Sequence, residues 1–260
     1  MTATDRVPEV TAPMASKGEE MEQETAVAAK PRQTRDAERT RRTLMECALQ
    51  EFAQHGFSGA RAERIAKKAR RNIRMLYHYF GSKEQLYIAV LEDSYTTIRA
   101  QEAKLAIDTQ QPLEGMLKLM DFTFDYFAAN PYFEGLLRTE NMMRGKYVRR
   151  SKRVSETAFT LRHMINELIR NGQAQGLFRP GLDSAQLYLT ITALSRFHLA
   201  NTYSMSALLH LDMTTKQWRA ERLQHCRDVL QAYLAAPATS RSAAGKGKTQ
   251  PAAPVSTRTN

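Results

Sequence analysis

The sequence predicts an all-α fold in two parts, a small N-terminal unit of three short helices and a larger helical bundle behind it. Three observations carry this. Between the two ends nearly every segment repeats its apolar residues at spacings of three and four, the mark of one buried helical face. No run alternates with period two for long, and glycine, proline and N-cap signals fall at helix-length intervals.

At 260 residues, 42% of them apolar, the chain can bury one sizeable core or two modest ones. Residues 1–36 are rich in Thr, Ala, Glu and Pro and nearly lack large apolar groups, so burial cannot offset the entropy of ordering them. The same holds for 237–260. The expected organisation is a disordered tail over 1–36, a helix-turn-helix domain over 37–84, a second helical domain over 85–236 and a disordered tail over 237–260.

The first helix is expected from near Arg39, with Leu44, Met45, Ala48, Leu49 and Phe52 on one side. Gly56 ends it, since glycine takes the left-handed conformation of a helix stop, and Phe57 can fold back on the last turn. The second helix is expected over 61–69, with Ala62, Ile65, Ala66 and Ala69 buried. Asn72 is suited to cap a third helix over 73–79, and Ser82 with Gln85 has capping-box spacing for a fourth, which includes Leu86, Ala89, Val90 and Leu91. Further helices are expected over 113–129, 132–144, 151–175, 184–203 and 215–235. Asn130-Pro131, Gly176 and the Arg179-Pro180-Gly181 run interrupt them, and Asp183 with Gln186 forms another capping box.

The balance of 38 Lys and Arg against 27 Asp and Glu leaves a net charge of +11, which suits a polyanionic partner. Its distribution is sharper than its total, because residues 31–83 carry 13 basic and 5 acidic side chains. Cys47 and Cys226 lie far apart, so neither a disulfide framework nor a zinc site is indicated, and the six histidines lack metal-ligand spacing. A Gly-rich phosphate loop, a nucleophile elbow and paired ligands are all missing, so neither an enzyme nor a cofactor is expected. No stretch approaches the ~18 uninterrupted apolar residues of a membrane span, and the N-terminus does not read as a signal peptide. A cytoplasmic protein without a membrane partner is the expectation.

Three short helices, the second and third only two or three residues apart, form the geometry that lays one helix across a phosphate backbone and the next in a major groove. The third helix suits that use. Asn72, Arg74, Met75, Tyr77 and His78 offer donors, acceptors and apolar faces, while Leu76 and Phe80, four apart, can anchor it. Arg70 and Arg71 can reach phosphates. Arg61 and Lys67, with Arg64 and Lys68, either do the same or solvate a helix face. Met75 either touches a thymine methyl or packs against Ile65.

Over residues 41–92 the chain resembles the tetracycline-repressor (TetR) family of bacterial regulators. The resemblance rests on Ala48, Phe52 and Gly56-Phe57, on Ile65-Ala66, and on Leu76-Tyr77-His78-Tyr79-Phe80 followed by Ser82-Lys83-Glu84. It implies that Tyr77 and His78 approach bases and phosphates and that Lys83 meets the DNA backbone. It also implies a C-terminal ligand-binding and dimerisation domain whose last two helices pair with a second copy. Two departures stand out. Arg70-Arg71 replaces a Gly followed by an apolar residue, and a left-handed non-glycine costs about 1–2 kcal/mol. Ala60 replaces a hydroxyl N-cap, a loss of about 1 kcal/mol.

In the C-terminal part the candidates to line an effector site are Phe122, Tyr126, Phe133 and Phe159, with Arg138, Asn141, His163 and His198 to orient a ligand. Core packing competes for each, and Arg138 can instead pair with Glu134 or Glu140. The apolar surplus of Leu187, Leu189, Ile191, Leu194, Phe197 and Leu199, then Trp218, Leu223, Val229, Leu230 and Tyr233, on the last two helices suits a homodimer, which would present two reading helices to a palindromic operator. The basic group Arg144, Lys146, Arg149, Arg150, Lys152 and Arg153 falls where cations oppose a helix dipole, and is either a solvated connector or a site for an anionic partner.

These readings point to a sequence-specific DNA-binding regulator of transcription, and the resemblance implies a ligand-responsive repressor released from double-stranded operator DNA by a small-molecule effector. An activator or an effector-independent regulator is the alternative for its effect. An architectural DNA protein would need basic charge spread broadly and no sensing cavity.

Overall fold

The computed structural model describes residues 30–236, with side chains from residue 35. Most of the expected N-terminal tail and all of the C-terminal one lie outside the described residues. The chain forms α1 (Lys30–Gly59), α2 (Ala62–Lys68), α3 (Ile73–Phe80), α4 (Lys83–Ala103), α5 (Pro112–Ala129) and α6 (Pro131–Met142). After a 3-10 turn over Val148–Arg150 come α7 (Lys152–Ala174), α8 (Ser184–Ala200), α9 (Thr202–Leu209) and α10 (Lys216–Leu234).

Local capping chemistry sets most boundaries. The side chains of Asn72, Ser82, Ser151, Asp183 and Thr215 each accept a backbone N–H from the first turn of the helix that follows. Gly56, at φ 66° and ψ 176°, breaks α1 where expected, and Phe57 returns to stack on Phe52 with ring centroids 6.2 Å apart. Two expectations need correction. α1 begins at Lys30 rather than Arg39, because Arg, Ala and Glu favour helix even where little is buried. The segment expected as one helix over 184–203 is two. Asn201 donates its side-chain amide to the Phe197 carbonyl at 2.8 Å, ending α8 before α9 begins.

Two cores result. The first gathers Leu44, Ala48 and Phe52 of α1, Ile65 of α2, Leu76 and Phe80 of α3, and Leu86 and Leu91 of α4. It continues into Phe127 of α5, Phe133 and Leu136 of α6, and Tyr147. The second joins Met116 and Phe124 of α5, Ile165 and Leu168 of α7, Leu187 and Ile191 of α8, and Cys226 and Leu230 of α10. α6 lies directly on α1, since a Cβ added to Gly135 would stand 2.9 Å from both the Cβ and the carbonyl oxygen of Ala53. Both cysteines are free and buried. Among the described residues no helix is long and apolar enough to cross a membrane.

His198 is buried in the second core, stacked on Phe124 at 4.8 Å and beside Trp218 at 5.6 Å. Burial, then the charges of Arg222 and Arg219, push its imidazole down to about 4. Below the ordinary value of about 6.5 the unfolded chain therefore binds a proton that the folded one refuses, so this histidine costs stability as pH falls from there to about 4. Glu102 acts in the opposite sense, because burial, only partly offset by Arg99, raises it to about 7. A His198→Phe variant isolates the histidine. Its unfolding free energy relative to wild type should improve steadily on acidification from about pH 6.5 towards 4. A difference that stays flat across that window in urea titrations would contradict the burial of a neutral imidazole.

Candidate nucleic-acid interface

The interface is built from α1 upward. Glu51, buried on α1, accepts the Arg61 amide at 3.0 Å and the Arg64 Nε at 2.7 Å. Arg61 is the N-cap of α2 and offers no side-chain cap of its own, and Glu51 supplies the carboxylate that a capping box would take from within the helix. The N-cap thus falls at Arg61 rather than Ala60, and no side chain caps the first-turn amides of α2. Burial raises the Glu51 carboxyl, but the bonds from Arg64 and the Arg61 amide, with the charges of Arg64 and His55, outweigh it and leave it below its ordinary value.

The turn from α2 to α3 closes as a Schellman motif. The Arg70 amide donates to the Lys67 carbonyl at 3.1 Å and the Arg71 amide to the Ala66 carbonyl at 2.9 Å. Arg70 is held left-handed at φ 53°, the strained conformation expected from its sequence. Asn72 then opens α3, its Oδ1 accepting the Arg74 amide at 2.8 Å.

The faces of α3 are cleanly divided. Leu76 and Phe80 are buried, whereas Arg74 and His78 are exposed and Tyr77 is 43% exposed. Met75 is half-buried. Around this face stand Arg61, Lys67 and Arg70, all exposed, and half-buried Arg71. Lys83 is also half-buried, with its ammonium 4.8 Å from the Phe57 ring centroid, and burial lowers its pKa. Arg64 is tied to Glu51 and to the Gly59 carbonyl. Arg41, which the sequence did not single out, has its guanidinium 5.4 Å from the Phe80 ring centroid at the end of α3. Its place in the basic window was the available signal.

The ligand candidates do not converge. Tyr126 and Phe133 line a groove of about 360 Å³ together with Leu49, Asp93, Thr97 and Asn130. Arg138 lies in a separate groove of about 430 Å³, exposed and without the partners expected for it. Glu134 is engaged instead by Arg196 at 2.6 and 2.9 Å, and Glu140 is buried, accepting the amides of Tyr147 and Val148. Phe159 and His163 are exposed on α7, Asn141 is exposed and bonds the Leu137 carbonyl, Phe122 is half-buried against the first core, and His198 belongs to the second. Tyr126 with Phe133, and Phe159 with His163, share grooves in pairs, and helix placement separates these pairs from each other and from the remaining candidates.

Comparison with known proteins accords with this architecture. The family model for bacterial regulatory proteins of the tetR family matches residues 44–90, and that for a tetracyclin repressor-like C-terminal domain matches 112–230. The chain is 36% identical over 193 residues to the HTH-type transcriptional repressor NicS of Pseudomonas putida, covering 74% of this chain and 91% of that one. It is 30% identical over 165 residues to the HTH-type transcriptional repressor SCO4008 of Streptomyces coelicolor, covering 63% of this chain and 80% of that one. In fold it is similar to the crystal structure of SCO4942 from Streptomyces coelicolor, with a TM-score of 0.58 at 24% identity over 75% of this chain and 98% of that one. Matched in both halves by the family's own models and to NicS over nearly that protein's whole length, this chain belongs to the TetR family of bacterial transcriptional regulators.

Proposed function

We propose that the protein is a homodimeric, sequence-specific repressor of transcription, working in the cytoplasm and released from a palindromic operator by a small-molecule effector. The observation that carries the DNA reading is the divided α3, with Leu76 and Phe80 held in the core and Arg74, Tyr77 and His78 left free. Residues 37–84 are the reading domain. Asn72, Arg74, Met75, Tyr77 and His78 address bases and nearby phosphates, and Arg61, Lys67, Arg70, Arg71 and Lys83 address the backbone. Repression is supported by the names of NicS and SCO4008, both transcriptional repressors.

Residues 85–236 are the sensing and dimerising domain. The groove beside Tyr126 and Phe133 is the favoured effector site, because Leu49 of α1 and Asp93 and Thr97 of α4 share its wall with α5 and α6. An occupant there touches the helices that carry the reading head, so it can prefer one head position over another. That differential affinity, typically about 1–3 kcal/mol, is what release requires. For the dimer, Leu189 and Phe197 of α8 are 59% and 56% exposed, and Val229 and Tyr233 of α10 also face outward, whereas Leu187, Ile191 and Leu230 are buried within the chain.

Three outcomes test this reading. A duplex selected from a random library by the wild-type protein should lose its advantage over random DNA when Tyr77→Ala is assayed, with circular dichroism unchanged. Retention of the wild-type ratio would remove α3 as the reading element. Arg70→Gly should relieve the left-handed strain and raise stability by about 0.5–1 kcal/mol while weakening binding to every duplex. Unchanged or tighter binding would separate Arg70 from the backbone contact, and a loss of stability would contradict the strain. Leu189→Glu with Phe197→Glu should sediment as a folded monomer, and a persistent dimer would place the interface elsewhere.

A further inference from the structure

The ten residues 144–153 between α6 and α7 include Arg144, Lys146, Arg149, Arg150, Lys152 and Arg153 and no acidic residue. Such a run could be a loose connector, but this one is fastened down. Tyr147 is only 2% exposed, its ring 4.9 Å from that of Phe57 and 5.0 Å from that of Tyr87. Buried Glu140 accepts the amides of Tyr147 and Val148 through one oxygen, at 3.2 and 3.0 Å. Ser151 caps α7 and donates its hydroxyl to Glu92 of α4 at 2.6 Å. The strap is therefore bolted to α1 and α4, the helices that frame the reading unit.

Two of its charges, Lys146 and Arg150, sit at the N-terminus of α4, the end that directly follows α3. Arg150 pairs with Glu84, and the Lys146 ammonium lies 4.0 Å from the same carboxylate oxygen. One carboxylate thus serves two cations here. Lys83 belongs to the same neighbourhood, since it and Tyr147 both contact the Phe57 ring. Arg149, Lys152 and Arg153 are exposed, and the first turn of α7 holds no acidic residue to offset the last two. The helix dipole disfavours cations at that turn, a cost that a bound anion would offset.

We propose that 144–153 is a second phosphate-binding element, which grips the DNA backbone beside the segment read by α3. It rests on the reading of α3 as the DNA-facing helix. The strap supplies affinity without sequence preference, because its fixed cations meet phosphates and not base edges.

The test uses the full chain and a random-sequence duplex, with affinity measured across a salt series. Arg149→Gln/Lys152→Gln/Arg153→Gln leaves Tyr147, Glu140, Arg150 and Ser151 in place. With a melting temperature no lower than that of the wild type, it should bind roughly tenfold more weakly, and its slope of log affinity against log salt should be shallower by about 0.9 for each phosphate that the strap no longer neutralises. Unchanged affinity and slope overturn the proposal. Glu84→Gln provides an independent arm should the triple variant not fold, because freeing Lys146 and Arg150 should tighten random-duplex binding and steepen the slope. No gain from it likewise overturns the strap. Arg74→Gln in parallel tells the two readings apart. If it abolishes duplex preference while the triple variant is silent, the strap alone is wrong; if both are silent, the α3 reading falls as well. Phosphatidylglycerol vesicles that hold the wild type but not the triple variant, with duplex binding untouched, would assign the strap to a lipid surface and overturn it too.

Discussion

Four aromatic rings, Phe52, Phe57, Tyr87 and Tyr147, hold the reading unit to the rest of the chain. Phe52 and Tyr87 meet edge to face at 4.8 Å, Phe57 and Tyr87 at 5.2 Å, and Tyr147 closes the cluster against both Phe57 and Tyr87. Such pairs contribute about 0.5–1.5 kcal/mol each beyond the area they bury. The cluster depends on Gly56, whose positive φ turns the chain so that Phe57 returns to the core. Because α1, α4 and the segment before α7 all enter it, the reading unit cannot shift without repacking these rings. The contact of Gly135 with Ala53 ties α6 to α1 with the same directness.

Charge is distributed around that core with a buried counterweight in the reading unit. Glu51 remains ionised in a buried position because the Arg61 amide and the Arg64 guanidinium satisfy one of its oxygens. It fastens α2 to α1 and takes Arg64 out of the free basic surface. Arg61, Lys67, Arg70 and Arg74 are exposed, Arg71 and Lys83 are half-buried, and the structure accepts strain to place Arg70 where glycine would fit more easily. Arg144 repeats the arrangement at the end of α6, left-handed at φ 56° with its amide on the Asn141 carbonyl and that of Gly145 on the Glu140 carbonyl. Both strained arginines open segments rich in positive charge.

The second core is separate in composition and in chemistry. Its apolar residues come from α5, α7, α8 and α10, with Phe178 from the turn between α7 and α8, and His198 is kept neutral beside them by burial and by the neighbouring arginines. α5 contributes to both cores, Met116 and Phe124 to the second and Tyr126 and Phe127 to the first. A helix shared in this way carries a displacement on one side to the other, since packed interiors have little free volume to absorb it.

By itself the sequence determined the all-α class, the helix-turn-helix, and most helix ends. Asn72, Ser82 and Asp183 all cap as their spacing requires, because a side chain bonding an amide two or three residues away is a short-range event that the rest of the fold hardly alters. The buried and exposed faces of α3 were legible for the same reason, in a period of 3.6. The tertiary structure decided what depends on distant partners. It set Glu51, ten residues before Arg61, as the anchor of α2, and it turned the basic run 144–153 into a strap by burying Tyr147. It also scattered Phe122, Tyr126, Phe133, Arg138, Phe159, His163 and His198 among cores and separate grooves. Periodicity says which side of a helix is apolar, but whether that side meets another helix, a cavity or solvent is settled only when the helices are packed.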